Sequence, residues 1–170
     1  MSAEGYIPLG TAGGSGDYTF TSIPSGYDAL ILRGQAQSGN SVFNQQVGLR
    51  CNGDSTGYYR SYEYLLPATT PVLHTVDGGT NDNGKLVYLG GSYLGDWPSW
   101  FETTIIGYDD TNRYTTWRTV MGSSGGNGGY GGAGFNGGMW RKYTTVTSIE
   151  TVNGNWGSSY TNLTLYGRKG

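Results

Sequence analysis

The fold class is clearest in one stretch of ten residues, Gln45-Gln-Val-Gly-Leu-Arg-Cys-Asn-Gly-Asp54. Val47, Leu49 and Cys51 alternate with a glycine and an arginine, which is the period of two expected for a strand with one buried face. Asn52-Gly53 follows directly and is a strong signal for a tight turn. The stretch therefore predicts a β-strand that ends in a turn, with Cys51 as a small core residue.

Short β-rich segments separated by turn signals recur on both sides of this stretch, and no segment shows the period of a helix. About nine or ten such strands predict an all-β fold, an antiparallel two-sheet sandwich that is jelly-roll-like. The segment 139–152 is long enough for two strands. The predicted strands are 17–23, 28–37, 45–52, 58–66, 85–90, 101–108, 114–121, 139–152 and 160–167.

Two segments depart from this pattern. Residues 1–16 are predicted to be an extended N-terminal arm and linker, since 10–16 is rich in glycine, while 17–170 form a single β-sandwich domain. Between positions 122 and 138, ten of seventeen residues are glycine. Because glycine offers no side chain to pack on a pleated sheet, 122–138 is predicted to be a long loop lying against another surface.

The composition indicates a protein that packs into an assembly. Glycine accounts for 32 of the 170 residues, well above the usual share of about 7%, and charged residues make up 13%, about half the usual share. The chain also carries 15 Tyr and 5 Trp, residue types that are enriched at protein interfaces. The alternative is a monomeric sandwich with tyrosines on its solvated faces.

Charge and hydropathy argue against several classes of partner. The net charge is −2, and the basic residues cluster only at Arg141-Lys142 and Arg168-Lys169, so nucleic-acid binding is not expected. No run of 18 apolar residues predicts a membrane-spanning helix, and 1–16 does not resemble a signal peptide. The chain is therefore expected to be made in a cytosol. A single cysteine cannot form an internal disulfide.

The candidate catalytic and metal-binding motifs are weak. Residues 122–126 fit G-x-S-x-G, but a nucleophile elbow needs a following helix and a histidine, and His74 is the only histidine. One His and one Cys cannot form a structural zinc site. The loop at 77–84 offers oxygen ligands for calcium, with a solvated turn as the preferred interpretation. We therefore expect no catalytic residue, no metal site, no cofactor and no enzymatic activity.

Apolar side chains in the two non-strand segments are candidate contacts with other chains. Tyr6, Ile7 and Leu9 surround a proline in the predicted arm, and we expect them to dock on a different protein. Aromatic residues in and beside the glycine-rich segment are expected to contact another copy of this chain. These are Tyr130, Phe135 and Trp140.

A second candidate site is the short segment Gly95-Asp-Trp-Pro-Ser-Trp100, which presents two indole rings in a predicted loop. Trp97 and Trp100 could stack on the apolar face of a sugar, and Asp96 and Ser99 could bind its hydroxyl groups. Glycosidases also combine carboxylates with aromatic platforms, so the pattern alone does not separate cleavage from binding. The alternative is that the two rings contact a neighbouring subunit or close one end of the sandwich.

Several stretches resemble a group of bacteriophage and cyanophage virion proteins. Tyr18-Thr-Phe-Thr-Ser-Ile-Pro-Ser-Gly-Tyr-Asp-Ala-Leu-Ile-Leu-Arg33 is similar to their opening strands, which are joined by an Ile-Pro turn. Val47-Gly-Leu-Arg-Cys-Asn-Gly-Asp54 resembles their Asn-Gly-Asp turn, and 106–112 resembles their tyrosine-acidic turn. The closing segment 163–167 resembles their last strand. The resemblance covers about 17–167 and rests on short structural motifs.

The resemblance implies a β-sandwich virion structural protein without catalytic residues, localised in the virion after synthesis in the bacterial host cytoplasm. It implies assembly with other copies, as a homotrimer, and docking on other virion proteins. Two positions on the phage particle fit this role. The chain could be a capsid decoration or cement protein, or a tail, baseplate or fibre component. The alternative function is a glycan-binding module that recognises the host surface. The resemblance leaves the host, the symmetry and the position on the particle open.

Overall fold

The computed structural model describes residues 5–14, 16–37, 45–56, 59–67, 72–76, 84–89, 98–123, 132–152 and 161–170. Within these ranges the chain forms twelve β-strands and no helix. The strands are β1 Gly5–Gly13, β2 Tyr18–Phe20, β3 Ala29–Ala36, β4 Gln45–Cys51, β5 Tyr59–Pro67, β6 Val72–Val76, β7 Gly84–Leu89, β8 Ser99–Ile106, β9 Thr115–Ser123, β10 Gly132–Trp140, β11 Ile149–Val152 and β12 Asn162–Lys169.

The strands form two sheets. The large sheet has eight strands in the order β1-β12-β3-β8-β9-β10-β5-β6, and the small sheet has four in the order β2-β11-β4-β7. Every neighbouring pair is antiparallel. The predicted all-β, antiparallel two-sheet sandwich is thereby confirmed. Its jelly-roll connectivity stays a prediction.

The core lies between the two sheets, and side-chain alternation along each strand selects its members. In β8, Phe101, Thr103 and Ile105 are buried, whereas Trp100 and Ile106 are exposed. Cys51 is fully buried, as predicted. The largest fully buried side chains of the described residues are Trp140, Tyr59, Tyr108, Phe101, Leu30, Ile31, Leu32, Leu49, Leu86, Ile105 and Ile149.

Glycines on neighbouring strands make room for aromatic rings inside the sandwich. The indole of Trp117 in β9 lies against Gly84 of the small sheet and Gly138 of β10, where a β-carbon on either glycine would overlap the ring. Tyr27 lies over Gly167 in the same way, with ring atoms 2.6–2.7 Å from where a β-carbon would stand. Because real β-carbons essentially never come this close to another atom, these glycines are needed for packing.

The predicted Asn52-Gly53 turn is confirmed, with both residues at positive φ (53° and 65°). It leads the chain from β4 in the small sheet to β5 in the large sheet and does not close a hairpin. The Asn52 side chain accepts hydrogen bonds from the backbone N–H groups of Thr147 (2.8 Å) and Ser148 (3.1 Å) and donates one to the Thr145 carbonyl (2.8 Å). The turn therefore holds the segment that leads into β11.

Asp54, directly after this turn, is a buried carboxylate with several partners. It accepts a hydrogen bond from the indole N–H of Trp140 (2.6 Å), pairs with Lys142 (3.0 Å) and accepts from the backbone N–H of Thr56 (3.0 Å) and from its hydroxyl. Burial acts to raise the pKa of Asp54, but the hydrogen bonds outweigh it and lower the pKa from 3.8 to about 2. The ionised carboxylate thus connects the end of β10, through Trp140, to the Asn52-Gly53 turn.

The prediction that 1–16 form a separate arm is wrong for residues 5–13. These residues form β1, which pairs with β12 along its whole length and completes one edge of the large sheet. Leu9 packs against the core, while Tyr6 and Ile7 are 47% and 44% exposed. The glycines of 10–16 favour a linker by composition, but a glycine backbone can pair in a sheet when the neighbouring strand supplies the packing. Docking of these three residues on another protein stays a prediction.

The prediction of a loop over the whole of 122–138 is also wrong. β9 continues to Ser123, and β10 begins at Gly132 and pairs with β9 on one side and β5 on the other. The intervening 124–131 lies outside the described residues. β10 forms because its backbone is hydrogen-bonded on both edges and because a neighbouring indole fills the space above Gly138.

Candidate functional site

The candidate site is the outer face of the large sheet, the side that points away from the small sheet. We define it by the outward positions of the central strands β8, β9 and β10. Four large apolar side chains are exposed there, although such residues are usually buried. They are Trp100 (55% exposed), Phe135 (53%), Ile106 (48%) and Val120 (41%).

Strand register brings these residues together from three strands. Val120 in β9 is paired with Phe135 in β10 and, on its other side, with Glu102 in β8. Residues directly opposite each other on antiparallel strands share a face and lie about 5 Å apart. Trp100 and Ile106 occupy the two ends of the outer face along β8. The result is a broad, largely apolar surface.

Trp100 is an aromatic platform on this face. It is paired with Gly122 of β9, and a β-carbon on Gly122 would lie 2.5 Å from the indole nitrogen. The ring therefore lies across the glycine and leaves its other side open. A flat, exposed indole of this kind can stack on another apolar surface, either of a protein or of a sugar.

Charged side chains border the apolar surface on the β3 side. The guanidinium of Arg33 donates a hydrogen bond to Glu102 (2.6 Å) and lies 4.3 Å from the ring centre of Tyr6. Burial opposes the charge of Arg33, but the hydrogen bond and charge interaction with Glu102, together with the interactions with Tyr6, outweigh it and raise the pKa of Arg33. Tyr6 also meets Tyr166 edge-to-face, with ring centres 6.1 Å apart. This cluster ties edge strand β1 to the outer face.

A groove of about 360 Å³ lies on the same outer face, towards the end of β8 at Ile106. Arg118 of β9 and Arg168 of β12 line it, together with two threonine hydroxyls. Ile106 is one of its apolar walls. The full lining is Thr104, Ile106, Thr116, Trp117, Arg118 and Arg168.

The predicted glycan contacts are only partly brought together. Trp100 is exposed on the outer face, but Ser99 is 1% exposed and faces the core. Because neighbouring residues of a strand point to opposite faces, the two side chains cannot contact the same ligand. Ser99 is therefore withdrawn as a contact. Asp96 and Trp97 lie outside the described residues.

The predicted subunit contacts divide in a similar way. Phe135 is exposed on the outer face, so its contact with another copy stays a prediction. Trp140 is wrong as a contact, because it is 1% exposed and donates its indole N–H to Asp54. The size of Trp140 and its position beside the glycine-rich segment favour an interface. Its hydrogen bond to the buried carboxylate of Asp54 instead holds the ring in the core. Tyr130 lies outside the described residues.

Sequence reasoning missed Ile106, Val120 and the two groove arginines. The alternation in 101–108 does predict an outward position for Ile106, because Phe101 and Ile105 face inward. No local signal identifies Arg168 as a partner of Arg118, since the two residues lie on strands separated by two others in the sheet.

In the ranges that the structure describes, no three His, Cys, Asp or Glu side chains are arranged to hold a metal ion. Residues 77–83 of the candidate calcium loop at 77–84 lie outside those ranges. The described residues also contain no helix long and apolar enough to cross a membrane. The chain matches no protein-family model, no curated protein and no solved structure at a significant level. The functional proposals below therefore rest on the fold and on the outer face.

Proposed function

We propose that this chain is a non-enzymatic structural protein of a bacteriophage virion, exposed on the particle and assembled with further copies of itself. The observation that supports it most is the outer face, on which Trp100, Ile106, Val120 and Phe135 are exposed. Large exposed apolar surfaces are uncommon on monomeric soluble proteins and mark interaction sites. The resemblance of the strand and turn motifs to virion proteins supplies the setting.

The outer face is a better contact with a second copy than edge strand β1 is. Edge strand β1 contains Pro8, which has no N–H to donate, and a β-bulge between Pro8 and Gly10. Proline and bulges at a sheet edge oppose the addition of another strand. The central strands instead offer apolar rings on a broad surface. Homo-oligomers are usually symmetric, and we take the trimer implied by the resemblance as the assembly to test.

Two positions on the particle are compatible with this role: capsid decoration or cement, and a tail, baseplate or fibre component. Imaging of purified particles should show density for this chain in symmetric copies at the particle surface, with Trp100 and Phe135 in contact with another copy. Mass spectrometry of the same particles should detect the chain in stoichiometric amount. Its absence from purified particles would contradict the proposal.

Substitutions on the outer face should weaken self-association. We expect the wild-type chain to sediment at about three times its 18.2 kDa mass at micromolar concentration. Trp100→Ala and Phe135→Ser each remove a large aromatic contact, and each should weaken association at least about tenfold. Tyr143→Ala is the matched control, because Tyr143 is 59% exposed but lies outside the large sheet. A monomeric wild-type chain, or equal effects of all three substitutions, would contradict this prediction.

The exposed indole of Trp100 favours a second candidate function, a glycan-binding module for host recognition. Its ring lies on Gly122 with one side open, as a sugar-stacking platform requires. The same Trp100→Ala variant separates the two functions. Loss of adsorption to host cells with unchanged oligomeric mass would favour glycan binding, and loss of oligomeric mass would favour the assembly contact.

A further inference from the structure

The groove at the Ile106 end of the outer face is lined by side chains that can bind an anion. Arg118 and Arg168 border it from opposite sides, three strand spacings or about 14 Å apart across the sheet. Thr104 of β8 lies on a strand between them, and Thr116 is the next outward position from Arg118 on β9. Two cations therefore border one groove that is also lined by two hydroxyl groups.

These two arginines differ from others in the described part of the chain because neither forms an ion pair there. Arg33, Arg50 and Arg113 each pair with a carboxylate, at 2.6 Å, 3.1 Å and 2.5 Å respectively. A guanidinium binds planar or tetrahedral oxyanions through two parallel hydrogen bonds. The groove thus offers two such groups that are available to a ligand.

We propose that this groove binds an acidic saccharide, with a carboxylate or sulfate group held by Arg118 and Arg168. Hydroxyl groups both donate and accept, so Thr104 and Thr116 match the hydroxyls of a sugar ring. The side chain of Ile106 offers an apolar surface for the C–H face of the same ring. The volume of about 360 Å³ lies within the usual range for small-ligand sites, about 300–1,000 Å³.

An acidic peptide fits the groove less well. β8 is paired with β3 and β9, and β9 is paired with β8 and β10, so their backbone groups are already hydrogen-bonded. A peptide could not add to these strands as it can to a free edge. The groove is also separate from Trp100, which lies four residues before Thr104, or about 13 Å along β8. The proposal therefore goes beyond the proposed function and does not depend on it.

Calorimetric titration with defined oligosaccharides tests the proposal. The probes are a glucuronate-containing tetrasaccharide, a sulfated tetrasaccharide and a neutral tetrasaccharide, with a polyglutamate peptide for comparison. We expect one of the acidic saccharides to bind and the neutral one to bind at least tenfold more weakly. Arg118→Gln and Arg168→Gln should each weaken acidic binding by about 10- to 100-fold, as expected for a lost charge-assisted hydrogen bond.

Lys169→Gln is the matched control. It removes the same charge one residue from Arg168, but Lys169 points towards Tyr27, with its ammonium 5.4 Å from that ring, away from the groove. Binding by this variant should stay within twofold of wild type. Thermal unfolding checks that each variant folds, and Arg118→Gln decides the question if Arg168→Gln does not fold, because Arg118 is exposed.

Four outcomes would overturn the proposal. They are the absence of binding by either acidic saccharide at millimolar concentration, equal binding of the neutral saccharide, equal loss of affinity in the lysine control, and polyglutamate binding as tightly as the saccharides. Failure of the proposed self-association would leave all of these measurements interpretable, since the groove lies within one chain.

Discussion

Replacement of Gly138 by alanine is expected to lower the free energy of unfolding by about 3 kcal/mol or more. A β-carbon at this inward position would overlap the Trp117 ring and lie 2.8 Å from the carbonyl oxygen of Arg60. The same ring also lies against Gly84 of the small sheet, which leaves it little room to move. The Arg60 carbonyl belongs to the paired strand β5, so the strain must be taken up by the backbone.

Gly137→Ala is the matched control, because it lies next to Gly138 on the same strand. Its β-carbon would point to the outer face and meet only the Trp117 carbonyl oxygen, at an ordinary 3.6 Å. Stability should then change by less than about 1 kcal/mol, since alanine also reduces the entropy of the unfolded chain. Urea unfolding of the two variants measures the difference. Equal destabilisation by the two substitutions would contradict the packing explanation.

A double-mutant cycle tests whether the Trp117 ring causes the destabilisation expected from Gly138→Ala. Trp117→Leu alone should destabilise the protein by leaving a cavity. Combined with Gly138→Ala, it should cost much less than the sum of the two single effects, because the methyl group then occupies space the indole has left. Strict additivity would show that the strain at position 138 comes from the Arg60 carbonyl alone.

The strands with ordinary alternation were predictable from the sequence. β4 and the Asn52-Gly53 turn, and the inward positions of β8, follow from a period of two and a turn signal. β1 and β10 were not predictable, because their glycines are stabilised by side chains that belong to other strands. Gly138, for example, is covered by an indole 21 positions earlier in the chain. Propensity describes a strand's own side chains and does not include those of its neighbours.

The candidate site was predictable only in part, for a related reason. Trp100 is exposed and its binding role stays a prediction, whereas the interface role predicted for Trp140 is wrong because that side chain is buried. The direction of a side chain depends on strand register, and a shift of one residue reverses it. The groove needs Thr104, Arg118 and Arg168 together, which requires knowing that β12, β3, β8 and β9 are neighbours.

Acid is expected to destabilise this protein through Asp54. The pKa of Asp54 is lowered from 3.8 to about 2 because Thr56, Trp140 and Lys142 stabilise its ionised form against the effect of burial. A group whose pKa is lower in the folded state stabilises the fold fully above its unfolded pKa. That contribution is lost as the pH falls from about 4 to about 2. At about 1.4 kcal/mol per pKa unit, it amounts to about 2 kcal/mol.

Asp54→Asn should remove this contribution and most of its pH dependence. At pH 7 we expect a loss of about 2–3 kcal/mol, because the amide accepts fewer hydrogen bonds and removes the ion pair between position 54 and Lys142. Between pH 4 and pH 2 the variant should lose less stability than wild type. The free energies of unfolding of the two proteins should therefore converge as the pH falls. Asp110→Asn is the control, since it removes the same charge from a surface turn, where solvent screens the pairing with Arg113. An unchanged loss of stability between pH 4 and pH 2 in Asp54→Asn would show that other carboxylates carry the acid response.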